Sequence, residues 1–111
     1  MGLTKKELFS AEQNHIAQIA KAFAHPARVA IIQQLLKRKT CICGDLVEEL
    51  GLAQATISQH LRELKKAGII QGMIDGVSVC YCINPTKWQE VKTLLNDLFA
   101  QYNDPSKGGC C

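Results

Sequence analysis

Three pairs of cysteines mark the sequence. Cys41 and Cys43 stand one residue apart in TCICGD, Cys80 and Cys82 repeat that spacing in VCYCIN, and Cys110 and Cys111 are adjacent. The thiolate is the form of cysteine that binds soft metal ions and reacts with oxidants, so paired sulfurs offer chelation and disulfide formation. In an extended segment successive side chains alternate faces, so each Cys-x-Cys pair presents both sulfurs on one side. Cys43 also precedes a predicted helix, whose positive end would favour its thiolate. A single cysteine read alone is as well explained as a small buried hydrophobe. Neither pair has the Cys-x-x-Cys spacing and βαβ surroundings of a thioredoxin-like oxidoreductase, and no enzyme activity is expected.

The bulk numbers narrow the setting. A chain of 111 residues, 47% hydrophobic and 21% charged, suits one compact domain with a small core. A core of that size makes a dimer sharing apolar faces reasonable. The net charge of +3, with 13 Lys and Arg, gives a weak indication of a polyanionic partner. The sequence has no apolar run of about 18 residues to cross a membrane. Its start, Met1-Gly2-Leu3-Thr4-Lys5-Lys6, lacks the apolar stretch of a signal peptide. A cytoplasmic protein is expected, where thiols are kept reduced.

The apolar spacing sets the elements that position these sulfurs. Ser10 to Ala24 reads as a helix, with Ile16, Ile19, Ala20 and Phe23 on one side and Ser10 and Gln13 as a capping box. A second helix starts at His25-Pro26 and ends near Lys39, with Val29, Ile32, Leu35 and Leu36 on one face. TCICGD is a brief strand, Gly44 to Leu50 a short helix ended by Gly51, and Gln54 to Ala67 a further helix packing Ile57, Leu61 and Leu64. The segment IIQGMIDGVSVCYCIN reads as a hairpin turning at Asp75-Gly76, with Ile74, Val77, Val79, Tyr81 and Ile83 as its apolar positions. Pro85 and Thr86 open a last helix with Val91, Leu94, Leu95, Leu98 and Tyr102 on one face. A flexible tail is expected over about 103–111.

Helix-turn-helix followed by a two-stranded wing defines a winged helix. The predicted class is α+β, mostly helical: a single winged helix-turn-helix DNA-binding domain over residues 1–111, homodimeric. The solvent face of Gln54 to Ala67 carries Gln54, Thr56, Ser58, Gln59, Arg62, Lys65 and Lys66. Gln, Ser and Thr can read base edges from the first turns of such a helix, while Arg62, Lys65 and Lys66 suit phosphates. An ordinary solvated helix face would look much the same. Ala53 is a weak helix cap. Asp75 makes the wing tip acidic, so the wing is expected to add little phosphate binding.

The segments AFAHPARVAIIQQL, CICGDLVEELGLAQATISQHLRELKKAGII and GVSVCYCIN together resemble the ArsR/SmtB family of winged-helix metalloregulatory repressors, in its arsenic-responsive branch. The likeness covers roughly residues 12 to 100. It implies a homodimer built on the first and last helices, held on a near-palindromic double-stranded operator and released by an inducer. It also implies pairing of the short strand with the second wing strand, which would gather Cys41, Cys43, Cys80 and Cys82 on one non-core face. Cβ atoms of cross-strand neighbours lie about 4.5–5.5 Å apart, near enough to share a soft ion or form a disulfide. Arsenite or another thiophilic metal ion is the implied inducer, with a subset of Cys41, Cys43, Cys80, Cys82, Cys110 and Cys111 as ligands and no catalytic cofactor. Switching by disulfide formation or sulfane sulfur is the alternative. Counting back from Asp45-Leu46, Cys41 and Cys43 fall one position out of step with the family's usual Cys-Val-Cys motif. The family's other metal site, on the last helix, needs histidine, and Thr86 to Tyr102 contains none, leaving Glu90 and Asp97 alone. His15 is expected at the surface or an interface, His25 at a helix start and His60 in the recognition helix, none of them a metal ligand.

Overall fold

The computed structural model describes residues 5–38, 41–43, 50–74 and 80–104. A short 3-10 turn (Lys5–Leu8) leads into α1 (Ala11–Ala22), α2 (Pro26–Arg38) and β1 (Ile42–Cys43). Then follow α3 (Gln54–Lys66), β2 (Ile70–Met73), β3 (Cys80–Ile83) and α4 (Pro85–Ala100). The expected helix over Gly44–Leu50, apart from Leu50, lies outside the described residues, as do Asp75, Gly76, Val77, Val79, Cys110 and Cys111.

Local chemistry sets the boundaries. The Ser10 hydroxyl accepts from the Gln13 amide at 3.0 Å, and the Gln13 side chain accepts from the Ser10 amide at 2.9 Å, completing the predicted capping box. Asn84 caps α4 by accepting from the Lys87 amide at 3.2 Å, with Pro85 in the first turn. Gly68, at φ +84, ends α3 in a left-handed turn. There the Gly68 amide donates to the Lys65 carbonyl at 2.9 Å and the Ile69 amide to the Leu64 carbonyl at 3.0 Å. This is a Schellman closure, and its two hydrophobic partners, Leu64 and Ile69, are both fully buried. The exit angle of α3 into the wing is thereby fixed by the same residues that anchor it in the core.

The sheet is antiparallel, in the order β1-β3-β2. Ile42 faces Tyr81 and Cys43 faces Cys80 across β1 and β3. Across β2 and β3, Gln71 faces Cys82 and Met73 faces Cys80. The core gathers Ile19 from α1, Ile31, Ile32 and Leu35 from α2, Ile57, Leu61 and Leu64 from α3, Ile42 and Tyr81 from the sheet, and Val91 from α4. Phe23 meets Trp88 edge-to-face, with centroids 6.3 Å apart, joining the end of α1 to α4.

Three expected faces need correction. On α1 the buried residues are Ile19 and Ala22, and Ala20 is exposed. On α2 the buried stripe is Ala27, Ile31, Ile32 and Leu35, and both Val29 and Leu36 are exposed, because that stripe, rather than the one through Val29 and Leu36, meets α3 and β3. On α4 only Val91 is buried, Leu94 and Leu95 are half-buried, and Leu98 and Tyr102 are exposed. The helix runs past the core, so among the described residues its last turns stay exposed.

Candidate nucleic-acid interface and thiol face

Helix α3 separates cleanly into two sides. Ile57, Leu61 and Leu64 are buried, with His60 beside them. Gln54, Thr56, Gln59, Arg62, Lys65 and Lys66 are exposed, and Ser58 is half-buried at the margin. The outer side chains brace one another. Gln54 Nε2 lies 3.5 Å from Ser58 Oγ, Arg62 donates to Gln59 Oε1 at 3.3 Å, and Gln59 donates to Glu63 at 3.3 Å. All seven expected contact residues therefore sit on the outward side of one helix. Ala53 occupies the N-cap in an extended conformation and makes no side-chain cap. The first amides of α3 are left without that partner, in a position suited to an anion.

The second feature is the face of the sheet turned away from the core. Ile42 and Tyr81 point inward and are buried, so Cys41, Cys80 and Cys82 beside them point the other way. Cys41 and Cys82 meet there in a disulfide, with Cα atoms 4.2 Å apart and a sequence separation of 41. Cys80 is also disulfide-bonded. The register sets Cys43 opposite it, and the Cys43 side chain lies outside the described residues. Beside Cys41 and Cys82 is an open cavity of about 410 Å³ walled by Leu35, Leu36, Ile83 and Pro85. Among the described residues no three His, Cys, Asp or Glu side chains converge on a metal position. The structure thus brings Cys41 and Cys82 into contact.

One soft donor was not singled out from the sequence. Met73 is exposed and stands opposite Cys80, on the same face as the cysteines. The signal was available: once Gln71 pairs with Cys82, strand periodicity carries Met73 to that face.

The histidines fall where expected, with more structure than expected. His15 is half-buried on α1, 3.3 Å from Glu90, and Lys87 reaches both. The Glu90 carboxyl is held below its ordinary pKa, first by the hydrogen bond from Lys87 and then by its charge. With an ammonium at its centre this group is ill suited to a cation. His25 Nδ1 accepts from the Ala27 amide at 3.0 Å at the start of α2. His60 is buried against α2 rather than turned toward solvent.

Helix α3, packed on α2 and followed by the antiparallel strands β2 and β3, has the arrangement of a winged helix-turn-helix. Residues 25–71 match the family described as bacterial regulatory protein, arsR family. An uncharacterized HTH-type transcriptional regulator of Methanocaldococcus jannaschii is 37% identical over 83 residues, spanning 74% of this chain and 92% of the other. The transcriptional repressor PagR of Bacillus anthracis is 32% identical over 94 residues, spanning 85% of this chain and 92% of its own. Among solved structures, HlyU from Vibrio cholerae superposes with a TM-score of 0.62 at 27% identity, covering 85% of this chain and 98% of that one. The chain belongs to the arsR family of bacterial transcriptional regulators. No helix among the described residues is long and apolar enough to cross a membrane.

Proposed function

We propose that this protein is a homodimeric repressor that binds double-stranded operator DNA through α3 and lets go when arsenite, or a related thiophilic metal ion, is captured by its cysteine thiolates. The observation that carries the sensing half is the contact of Cys41 with Cys82 across β1 and β3. In a reducing cytoplasm that pair is a dithiol, already close enough for both sulfurs to bind one ion. Arsenous acid exchanges hydroxyls for thiolates, releasing one water per As–S bond, with no change of oxidation state. A third ligand would come from Cys43, Cys80, Cys110 or Cys111. β1 is joined by residues 44–53 to α3, so a ligand that moves β1 against β3 can alter the pose of the DNA-facing helix.

On the DNA side, Gln54, Thr56, Ser58 and Gln59 would meet base edges and Arg62, Lys65 and Lys66 the phosphates. Two such helices in a dimer, about 34 Å apart, would enter successive major grooves. The exposed apolar side chains Leu8, Phe9, Leu98, Phe99 and Tyr102 support a dimer contact at the two ends of the chain. Repression as the sign of control follows the PagR likeness.

A second reading has its own support. The Cys41–Cys82 disulfide is itself the product expected of a thiol redox or sulfane-sulfur switch, in which an oxidant takes two electrons and two protons from the pair. One experiment separates the two. The reduced protein on a duplex selected from a random library is titrated with arsenite and, in parallel, with peroxide and with persulfide. Cys41→Ser with Cys82→Ser and Cys110→Ser with Cys111→Ser serve as paired variants. Release by arsenite that the first pair abolishes supports the metalloid sensor. Release by oxidant alone sinks it in favour of the redox switch.

A further inference from the structure

A cluster away from the sulfurs joins three helices through one guanidinium. Arg28, in the first turn of α2, donates from Nε to His60 Nδ1 on α3 at 3.2 Å. Its Nη1 donates to the Lys21 carbonyl in the last turn of α1 at 3.2 Å. The His25 ring lies against the His60 ring, with centroids 4.3 Å apart and planes tilted by 45°. Arg28 therefore ties the end of α1 and the start of α2 to the middle of the helix that carries the expected DNA contacts.

We infer that Arg28 is a positioning residue for DNA reading, and that neutral His60 is the acceptor that lets it act, so that protonating His60 unlatches α3. The inference rests on α3 being the DNA-facing helix. An imidazole nitrogen that accepts from Arg28 must carry a lone pair, so His60 holds its proton on Nε2. Protonation puts a hydrogen on Nδ1, facing the Arg28 donor. The resulting imidazolium would also lie beside His25 and the guanidinium.

The surrounding charges favour the neutral form. From α2 and its leading residue come Arg28 and His25, and from α3 comes Glu63, which alone would welcome a positive charge. Lys21 of α1 and Lys66 of α3 line the surface pocket that Arg28 and Glu63 share. Burial, then His25, then Arg28 hold the His60 pKa below its ordinary value of 6.5, and Glu63 opposes them. The sign follows. Above about pH 6.5 the ring is neutral in folded and unfolded chains alike. As pH falls below that value the unfolded chain takes up the proton first, and the fold loses stability until the lowered folded pKa is passed.

The direction of the effect on DNA binding is diagnostic. A histidine gaining charge near DNA ordinarily strengthens binding through the phosphates. Release of the Arg28 contact weakens it. The test uses the full chain and a fluorescent duplex selected from a random library, at constant salt from pH 7.5 to 5.5, together with an NMR titration of the His60 ring without DNA. Wild-type protein should lose about tenfold in affinity over that range, with His60 titrating below 6.5. His60→Asn keeps an acceptor at the Nδ1 position and should bind like wild type at pH 7.5 while shedding most of the pH dependence. Arg28→Lys keeps the charge without the fork and should bind weakly at every pH while retaining wild-type helicity. A His60 pKa at or above 6.5, wild-type affinity in Arg28→Lys, or a pH profile unchanged in His60→Asn would each overturn the inference. If no duplex is retained at any pH, the DNA-binding proposal fails. The NMR titration, with the His60 shift compared between wild type and Arg28→Lys, then still decides whether the latch exists.

Discussion

Helices α3 and α4 are both amphipathic, and the described residues cover the apolar side of only one of them. The apolar stripe of α3 is wholly used: Ile57, Leu61 and Leu64 lie at 0–3% exposure, and its outer side is polar. Along α4 Val91 is 4% exposed, but Leu98 and Phe99 rise to 39% and 67%, and Tyr102 just past its end to 73%. Leu8 and Phe9, at the other end of the chain, are likewise exposed. A helix whose apolar side is covered and whose polar side is free is built to meet a polar partner. A helix whose apolar side runs on beyond the core is built to meet an apolar one. Under the proposed function the two helices would have different tasks, α3 meeting DNA and α4 the second subunit.

The strongest way to break that contrast is to charge the end of α4. Leu98→Glu with Phe99→Glu should leave a folded monomer, because neither side chain belongs to the core of one chain. The mass in solution should halve, and DNA affinity should fall at least about a hundredfold as the second half-site is lost. A variant that keeps the wild-type mass would remove α4 from the subunit contact.

Next in size is a test of the finished side. Gly72 in β2 has φ +125, and a Cβ added there would lie 2.8 Å from Tyr81 Cα and closer still to the Cys80 carbonyl oxygen. Gly72→Ala should destabilise the fold by about 2–4 kcal/mol through backbone strain and overpacking. Thermal unfolding would show this, and an unchanged melting temperature would mean that β2 and β3 do not close as tightly as described.

A smaller effect sharpens the role of the outer side of α3. Arg62→Ala with Lys65→Ala should lower DNA affinity roughly tenfold at moderate salt. It should also make the dependence of log K on log salt shallower by about 2, the expectation for two lost phosphate contacts. Stability should stay within about 0.5 kcal/mol of wild type, since both residues are exposed. An unaltered salt slope would mean that neither residue touches phosphate.

What could be read in advance follows the reach of each signal. Capping at Ser10, the stop at Gly68 and the alternation through Tyr81 are local, and each appears in the fold. The meeting of Cys41 with Cys82 needed one piece of long-range information, the pairing of β1 with β3, which the family likeness supplied and periodicity alone could not. The exposed ends of α4 were misread because an apolar stripe shows that something is buried without showing whether the same chain buries it. The Arg28–His60 contact was missed for a related reason. A histidine in a polar helix face looks solvated until a residue 32 positions earlier is folded against it.

The smallest prediction exploits the difference between the starts of α1 and α3. α1 has a complete capping box, whereas α3 begins at Ala53 with no side-chain acceptor, although its backbone (φ −65, ψ 148) already has the cap conformation. Ala53→Ser should therefore supply the missing acceptor without moving the chain, raising stability by about 0.5–1 kcal/mol. In a domain of this size that corresponds to a few degrees in melting temperature, roughly 2–6 °C. Ser10→Ala should do the reverse on α1 by about 1 kcal/mol. The two changes separate stability from reading. If the bare amides of α3 are kept for a DNA phosphate, Ala53→Ser gains in melting temperature while its DNA affinity drops or stays level. If affinity and stability instead rise together, the first turn of α3 is simply frayed in the free protein, and the missing cap is a weakness of the fold with no part in DNA contact.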